Sequence, residues 1–415
     1  MILANNRLNA ACEFHQQGDL DTAETIYRTV IRDFPKKTEA WVYLGISLND
    51  QGRFEEALAA YERALRLSPG STSALTNSGL TLAMLGQHEK ALENHKKAIE
   101  IDPEFARGHT NLGIQQLRMG NTEAGWRNYQ WRTKTAIFSP PSCTAPFWKG
   151  EDLLNKHLLI HGEQGLGDEV QTARYVRDVT KLAGTVTLSA DRKLVPLFRR
   201  SLQNCTIVER GSKLPSVDYQ ICSFSLPQHF GVGFTGAYLQ GDPLDQTDWL
   251  TAMTQLPGLK IGLNWTGNVQ NPMNALRTFP LRGLIEYLPG EISLVSLQAV
   301  HGTAALSKLS DPVQIHQPLV SKGGDKPRSI DEMASVIRGL DLVITCDSLC
   351  AHLAAALGVE TWLLLAKVPD WRWGLSSNSS EWYDHIKLYR QKTRGQWSEV
   401  FARIGKDVST RPNHK

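Results

Sequence analysis

In the first 132 residues small and apolar positions recur at helical spacing between polar stretches, and the whole pattern repeats. Gly18, Gly52, Gly86 and Gly120 stand 34 residues apart. Pro35, Pro69 and Pro103 keep the same step, and so do Ala23, Ala57 and Ala91. The pattern predicts pairs of antiparallel helices. A glycine opens each turn, where a left-handed backbone is easiest without a Cβ. A proline ends each second helix. The small residues Gly45, Ala57, Gly79 and Ala91 let paired helices approach closely.

Beyond about residue 150 the texture changes to short apolar runs. They predict strands at His157–His161, Thr185–Ser189, Cys205–Val208, Val217–Cys222, Lys260–Trp265, Ile292–Leu297, Val313–His316, Leu340–Thr345 and Thr361–Leu365. Helices are expected at 168–182, 191–202, 280–288, 329–339, 349–357 and 395–407.

A 34-residue period is the length of the tetratricopeptide (TPR) repeat. The second repeat fits its pattern with Trp41-x2-Leu44-Gly45, Ala57-x3-Tyr61 and Pro69. The first is degenerate but keeps Ala23, Tyr27 and Pro35; the fourth has Gly125 where alanine is expected and no proline on schedule. About three and a half repeats therefore fill residues 1–132, and neighbours must stack because one repeat cannot bury its own face. Residues 133–150, with Ser139-Pro-Pro-Ser-Cys-Thr-Ala-Pro146, read as a linker. Strands alternating with helices imply parallel βαβ units. A pause near Gln240–Gly258 divides the rest into lobes 151–257 and 258–415, with a cleft between them. The expected fold class is a helical solenoid followed by two Rossmann-like α/β lobes.

Composition changes this picture little. The net charge of +3 is too small to argue for nucleic acid or an anionic membrane. The N-terminus is interrupted by polar residues too early for a signal-peptide core. The stretch His352–Val368 is too short and too charged to span a bilayer. The six cysteines show no C-x-x-C pair and no zinc spacing, the usage of reduced thiols in a cytoplasmic protein. The single Asp-x-Asp, Asp19-Leu20-Asp21, lies in a repeat turn, so no metal-diphosphate clamp is expected in the α/β region.

Four segments could carry chemistry. Glu163-Gln-Gly165-Leu-Gly167-Asp168 joins a strand to a helix, where Gly165 and Gly167 let backbone N–H groups approach a ligand. It lacks the third glycine of a dinucleotide fingerprint. Asp168 reads equally as a carboxylate favoured by the helix dipole. Asp347-Ser348-Leu-Cys-Ala-His352 follows a buried-looking strand and suits a phosphate; a helix cap at Asp347 or Ser348 and a packed core His352 are the plain alternatives. Asn264-Trp-Thr-Gly-Asn268 precedes Arg277, a candidate phosphate ligand or a solvated loop arginine. Asp370-Trp-Arg-Trp373 could stack on a base or sugar, although packing suits two tryptophans better.

In their order, these segments resemble the heptosyltransferase-like glycosyltransferases, the ADP-heptose:lipopolysaccharide heptosyltransferase family, in its TPR-fused bacterial branch. The resemblance runs from about Gly125 to Ile404 through Gly125-Trp-x2-Tyr-x-Trp-Arg132, Glu163-Gln-Gly-Leu-Gly-Asp168, Gly262-Leu-Asn-Trp-Thr-Gly267 and Ser296-Leu-Gln298. It continues through Leu340-Asp-Leu-Val-Ile344, Asp347-Ser348 to Gly358, Asp370 to Trp373, Trp382-Tyr383 and Leu388 to Gln391. It departs at Ser348, at Ser380-Glu-Trp-Tyr-Asp384 and at Gln317–Arg328. The resemblance implies a GT-B fold and a metal-independent enzyme without a cofactor, whose substrate is a nucleotide-diphosphate sugar. Asp168 would be the general base, and Gly165, Gly167, Arg277, Gln298, Asp347, Ser348 and His352 would hold the donor and its phosphates. The acceptor would be a glycan, a lipid-linked saccharide or a protein, recognised in part by the repeats. The alternative is a non-catalytic TPR scaffold whose α/β region has lost catalysis. Neither the sugar nor the nucleotide is named by these motifs.

Overall fold

The computed structural model describes residues 2–138, 143–233, 236–242, 251, 253–271, 273–309, 314–319 and 329–411. Ser139–Ser142 of the expected linker, Val313 of an expected strand, Pro243 of the expected pause and residues 320–328 lie outside these. The chain forms two compact units. One is Met1–Pro140 with Val368–Leu375; the other is Pro141–Lys367 with Ser376–Lys415.

The first unit carries eight helices in four pairs: α1 (Ile2–Gln16) with α2 (Leu20–Asp33), α3 (Thr38–Asp50) with α4 (Phe54–Leu67), α5 (Thr72–Met84) with α6 (His88–Ile101), and α7 (Ala106–Arg118) with α8 (Thr122–Tyr129). Gly18, Gly52, Gly86 and Gly120 turn each pair at φ between +75° and +85°, the left-handed region that sterics close to most side chains. The second and third pairs are each locked by a glycine under an aromatic ring. A Cβ on Gly45 would meet the Tyr61 ring at 2.5 Å, and one on Gly79 the His95 ring at 2.6 Å. A Cβ on Gly113 would meet the backbone nitrogen of Tyr129 at 2.6 Å. Tyr27, Tyr61, His95 and Tyr129 thus occupy one repeat position, and all are buried.

The degenerate first repeat has a physical reading. Ala40, Ala74 and Gly108 are buried at one repeat position, and Ser47, Thr81 and Gln115 at another. In α1 those positions hold Asn6 and Glu13, both exposed. The fourth pair is shortened: α8 passes into a 3₁₀ turn, Gln130–Lys134.

The second unit contains two fully parallel sheets. Strands β1 (His157–His161), β2 (Thr185–Ala190), β3 (Thr206–Glu209) and β4 (Tyr219–Cys222) lie in the order β3-β2-β1-β4. Strands β5 (Leu259–Asn264), β6 (Ile292–Ser296), β7 (Ile315–His316), β8 (Leu342–Cys346), β9 (Thr361–Leu365) and β10 (Ile386–Arg390) lie in the order β10-β9-β8-β5-β6-β7. The inner strands β8 and β9 are buried at every residue, as parallel strands covered on both faces must be. The strand order reverses between β1 and β4 and between β5 and β8, the positions where open α/β sheets form a crevice.

Two local expectations differ from the structure. The helix expected at 168–182 is broken into Leu166–Thr172, a 3₁₀ turn Ala173–Tyr175 and Val176–Val179. Strand β10 was not anticipated, because Lys387 and Arg390 interrupt its apolar run; it sits at a sheet edge, where only one side pairs. The segment Asp370–Trp373 is part of the first unit, where Trp371 and Trp373 are buried. They serve packing, and this answers the reading in which they stack on a base or sugar.

Candidate functional site

The sequence-derived residues converge on the carboxyl ends of β1, β5 and β8. The loop after β1 turns at Gln164, whose φ is +63°, an uncommon conformation for a residue with a Cβ. Gly165 then donates its N–H to Asp168 Oδ2 at 2.8 Å, so the Asp168 carboxylate closes the first turn of helix Leu166–Thr172. Gly167 is needed for space: a Cβ there would lie 3.0 Å from the His352 ring and 3.4 Å from Leu349 Cα. The starts of helices Leu166–Thr172 and Leu349–Ala356 therefore abut.

On the second sheet Asn264, at the end of β5, gathers the end of β8. Its Oδ1 accepts from Ser348 Oγ at 2.9 Å and from Thr345 Oγ1 at 3.3 Å. Arg277 Nη1 donates to the Asp347 carbonyl at 3.5 Å, and its Nε lies 3.7 Å from Asp347 Oδ2. Asp347 is buried. His352 is also buried, with Nδ1 2.9 Å from the Tyr383 hydroxyl. Tyr238 donates to the Val170 carbonyl at 2.9 Å and lies 3.4 Å from that same hydroxyl; burial pushes the Tyr238 hydroxyl up to about 12. Gln298 uses both ends of its amide within the loops. Its oxygen accepts from the N–H groups of Trp265 and Thr266, and its nitrogen donates to the His301 carbonyl.

Gly165 and Asp168 thus form one cluster, Gly167 meets His352, and Arg277 meets Asp347, while Gln298 is occupied by the backbone of the loops after β5 and β6. Sequence reasoning missed Tyr383, Tyr238, Glu169 and Arg210, and it passed over Asn264 as a ligand of its neighbours. Asn264 carried a signal in its place at a strand end beside the reversal of strand order, and Tyr383 in the Trp382-Tyr383 stretch of the resemblance.

Glu169 is a perturbed carboxyl beside this cluster. It is buried, accepts from Asp191 N at 2.9 Å and pairs with Arg210. Burial pushes its carboxyl up to about 7 against these opposing contacts. The folded protein therefore holds this proton more tightly than the unfolded chain does. The resulting stability is complete below the unfolded value of 4.5 and is lost as pH rises through about 7. Glu169→Gln should remove this dependence. Between pH 5 and 8 the stability gap between variant and parent should change in the variant's favour, by at most about 1.4 kcal/mol per pH unit. Denaturant unfolding that shows the same gap at both pH values would discount a raised carboxyl.

The position of Asp168 supports a second test. As the acceptor for Gly165 N, Asp168 should cost about 0.5–2 kcal/mol on replacement by alanine, and less on replacement by asparagine. Thermal unfolding with no change for alanine would remove the capping role.

Among the described residues no group of three or more His, Cys, Asp or Glu side chains could hold a metal ion. No helix among them is long and apolar enough to cross a membrane.

Comparison with known proteins corrects the enzymatic expectation. Residues 8–72 match the family described as "Tetratricopeptide repeat" and residues 79–120 the one described as "TPR repeat". The chain is 29% identical to Protein FlbA of Caulobacter vibrioides over 310 residues, 68% of this chain and 51% of FlbA. It thus spans about half the length of that relative. Solved structures similar to it include MamA (residues 41 to the end) from Desulfovibrio magneticus RS-1, at 24% identity and TM-score 0.27, over 32% of this chain and 72% of that one. Another is a tetratricopeptide repeat protein from Parabacteroides merdae, at 22% identity and TM-score 0.28, over 33% of this chain and 54% of that one. FlbA stands where a sugar-transferring relative was expected. The heptosyltransferase resemblance, the GT-B label and the glycosyltransferase activity are corrected accordingly. The physical reason is that strand-end glycines, Asp-Ser turns and buried histidines are also what two packed parallel sheets need for themselves, and each of these residues has an internal task here. The helices of residues 8–72 and 79–120 are tetratricopeptide repeats.

Proposed function

We propose that the protein is a non-catalytic scaffold whose TPR solenoid binds a segment of a partner protein. The observation that carries this reading is Asn111. It is buried, and its side-chain nitrogen has no hydrogen-bond partner among the described residues. It shares its repeat position with Asn9 and Asn77, and Asn77 accepts from Arg107 of the next repeat at 2.8 Å. An unsatisfied buried amide costs about 1–3 kcal/mol, which a peptide carbonyl would offset. Stacked helix pairs supply the extended surface for such a segment. Capture of partners on the immobilised full chain tests it. Asn111→Ala and Arg107→Glu should each release proteins that the parent retains; identical capture by both variants would refute a role for this surface.

For the second unit we propose two Rossmann-type lobes meeting near residue 257. The strand orders support this: counted along the chain from β5, the second sheet reads 3-2-1-4-5-6. A phosphate-binding role for Arg277 and the start of helix Leu349–Ala356 is a second proposal, separate from any transfer chemistry. It is favoured by Ser348, which turns its hydroxyl to Asn264 and makes no side-chain cap on that helix. Inorganic phosphate should raise the unfolding midpoint of the parent but not of Arg277→Ala; an equal response in both would reject it.

A further inference from the structure

Successive first helices of the repeats share one face, and hydrogen bonds join neighbours along it: His15 with Asp50 at 2.9 Å, Thr81 with Asn49 at 2.9 Å and Arg107 with Asn77 at 2.8 Å. On this face the repeat sets out three rows of side chains. Ile46, Leu80 and Ile114 form an aliphatic row on α3, α5 and α7, and each is half-buried. Three residues before them come Tyr43, Asn77 and Asn111. Seven before them come Glu39, Ser73 and Arg107, all exposed. Residues at i, i+4 and i+7 share one side of a helix. At a rise of about 1.5 Å per residue, the middle row lies about 4.5 Å from the aliphatic row and about 6 Å from the exposed one.

The exposed row changes charge from repeat to repeat. Glu39 is answered by Lys37 at 3.2 Å, and Ser73 is neutral. Arg107 gives one nitrogen to Asn77, a bond that orients its guanidinium. Three turns further along α7, Arg118 is attracted by Asp370, whereas no carboxylate among the described residues pairs with Arg107. The face therefore carries a surplus positive charge at Arg107, beside an aliphatic row.

We propose, resting on the scaffold reading above, that the segment taken by this face is an extended one in which apolar and acidic residues alternate. An extended chain sends successive side chains to opposite sides. Its backbone lies over the middle row, where the Asn111 side-chain nitrogen has no partner among the described residues. One set of its side chains then covers Leu80 and Ile114. The other set points to Arg107, which takes a carboxylate through charge-assisted hydrogen bonds. Glu39, at the equivalent place on α3, repels the same acidic residue, so charge sets where along the face the segment sits.

The test measures fluorescence anisotropy of labelled, C-terminally amidated octapeptides on the full-length chain. One alternates leucine with glutamate, one leucine with glutamine and one leucine with lysine. The glutamate peptide should bind at least about tenfold more tightly than the glutamine one, the scale of a charge-assisted hydrogen bond. Arg107→Gln should bring these two together, and Arg107→Glu should favour the lysine peptide. Ile114→Asn should weaken the glutamate and glutamine peptides alike. A parent chain that binds the three peptides equally, or binds none, overturns the acidic preference, and so does a preference that survives Arg107→Gln. In that event partner capture lost in Asn111→Ala would leave the scaffold reading standing, and unchanged capture would remove both.

Discussion

Replacing Trp371 by alanine is expected to destabilise the repeat unit by about 3–5 kcal/mol, the range for emptying a buried large aromatic position. Trp371 is 7% exposed. The loss has three parts. The transfer of a large apolar surface is forfeited, and a hole opens beside Trp126. The edge-on pair with Trp126, of a kind that adds about 0.5–1.5 kcal/mol beyond buried area, is also lost. Solenoid energetics sharpen the effect, because an end repeat has a single neighbour. Loss of helical signal at a midpoint roughly 10 °C below the parent is the expected thermal result, at about 2–4 °C per kcal/mol for a unit of this size. A midpoint within about 1 °C of the parent would mean that the segment Asp370–Trp373 does not support the fourth pair.

The second large effect concerns His95, whose repeat position holds tyrosine in the other three pairs. Its ring lies over Gly79 and its Nδ1 has no partner among the described residues. Burial, and then the charge of Arg118, hold the imidazole down at about 3. The sign follows directly. Below the ordinary value of 6.5 the unfolded chain takes up a proton that the folded protein refuses. Stability should therefore fall as pH drops from 6.5 towards 3, by up to about 1.4 kcal/mol per pH unit, and level off below that. His95→Tyr removes this group. Repeat symmetry places the new hydroxyl near Gln115, as Tyr61 sits beside Thr81. The stability difference between His95→Tyr and the parent should grow steadily on acidification from pH 7 to 4. Carboxylates common to both chains cancel in that difference. A constant difference across this range would show that His95 is protonated freely in the folded state.

The functional reading turned on how much a residue's own neighbourhood in sequence can say. Asp347-Ser348 and Gly165-x-Gly167-Asp168 look like ligand loops because each follows a strand and opens a helix. Those same places must also be satisfied when no ligand is bound. In the folded chain Asp168 accepts from Gly165, Ser348 donates to Asn264 and His352 meets Tyr383. The two readings share their local sequence, and the partners that separate them lie up to 84 residues away.

What the sequence by itself determined is whatever rests on backbone period. The 34-residue step of small, aromatic and breaker residues set the helix pairs and their turns, since each contact joins residues within one repeat or its neighbour. Apolar runs bounded by polar turns placed nine of the ten strands among the described residues to within a few residues, because a strand buried on both faces must be apolar throughout. The tertiary structure decided which distant groups meet. It put Trp371 on Trp126, paired Glu169 with Arg210 across 41 residues and tied Arg174 to the Trp382 carbonyl across 208. No periodicity encodes such pairings. They follow from how whole elements pack, so an arginine or tryptophan that reads locally as a ligand can prove to be the seal of a core.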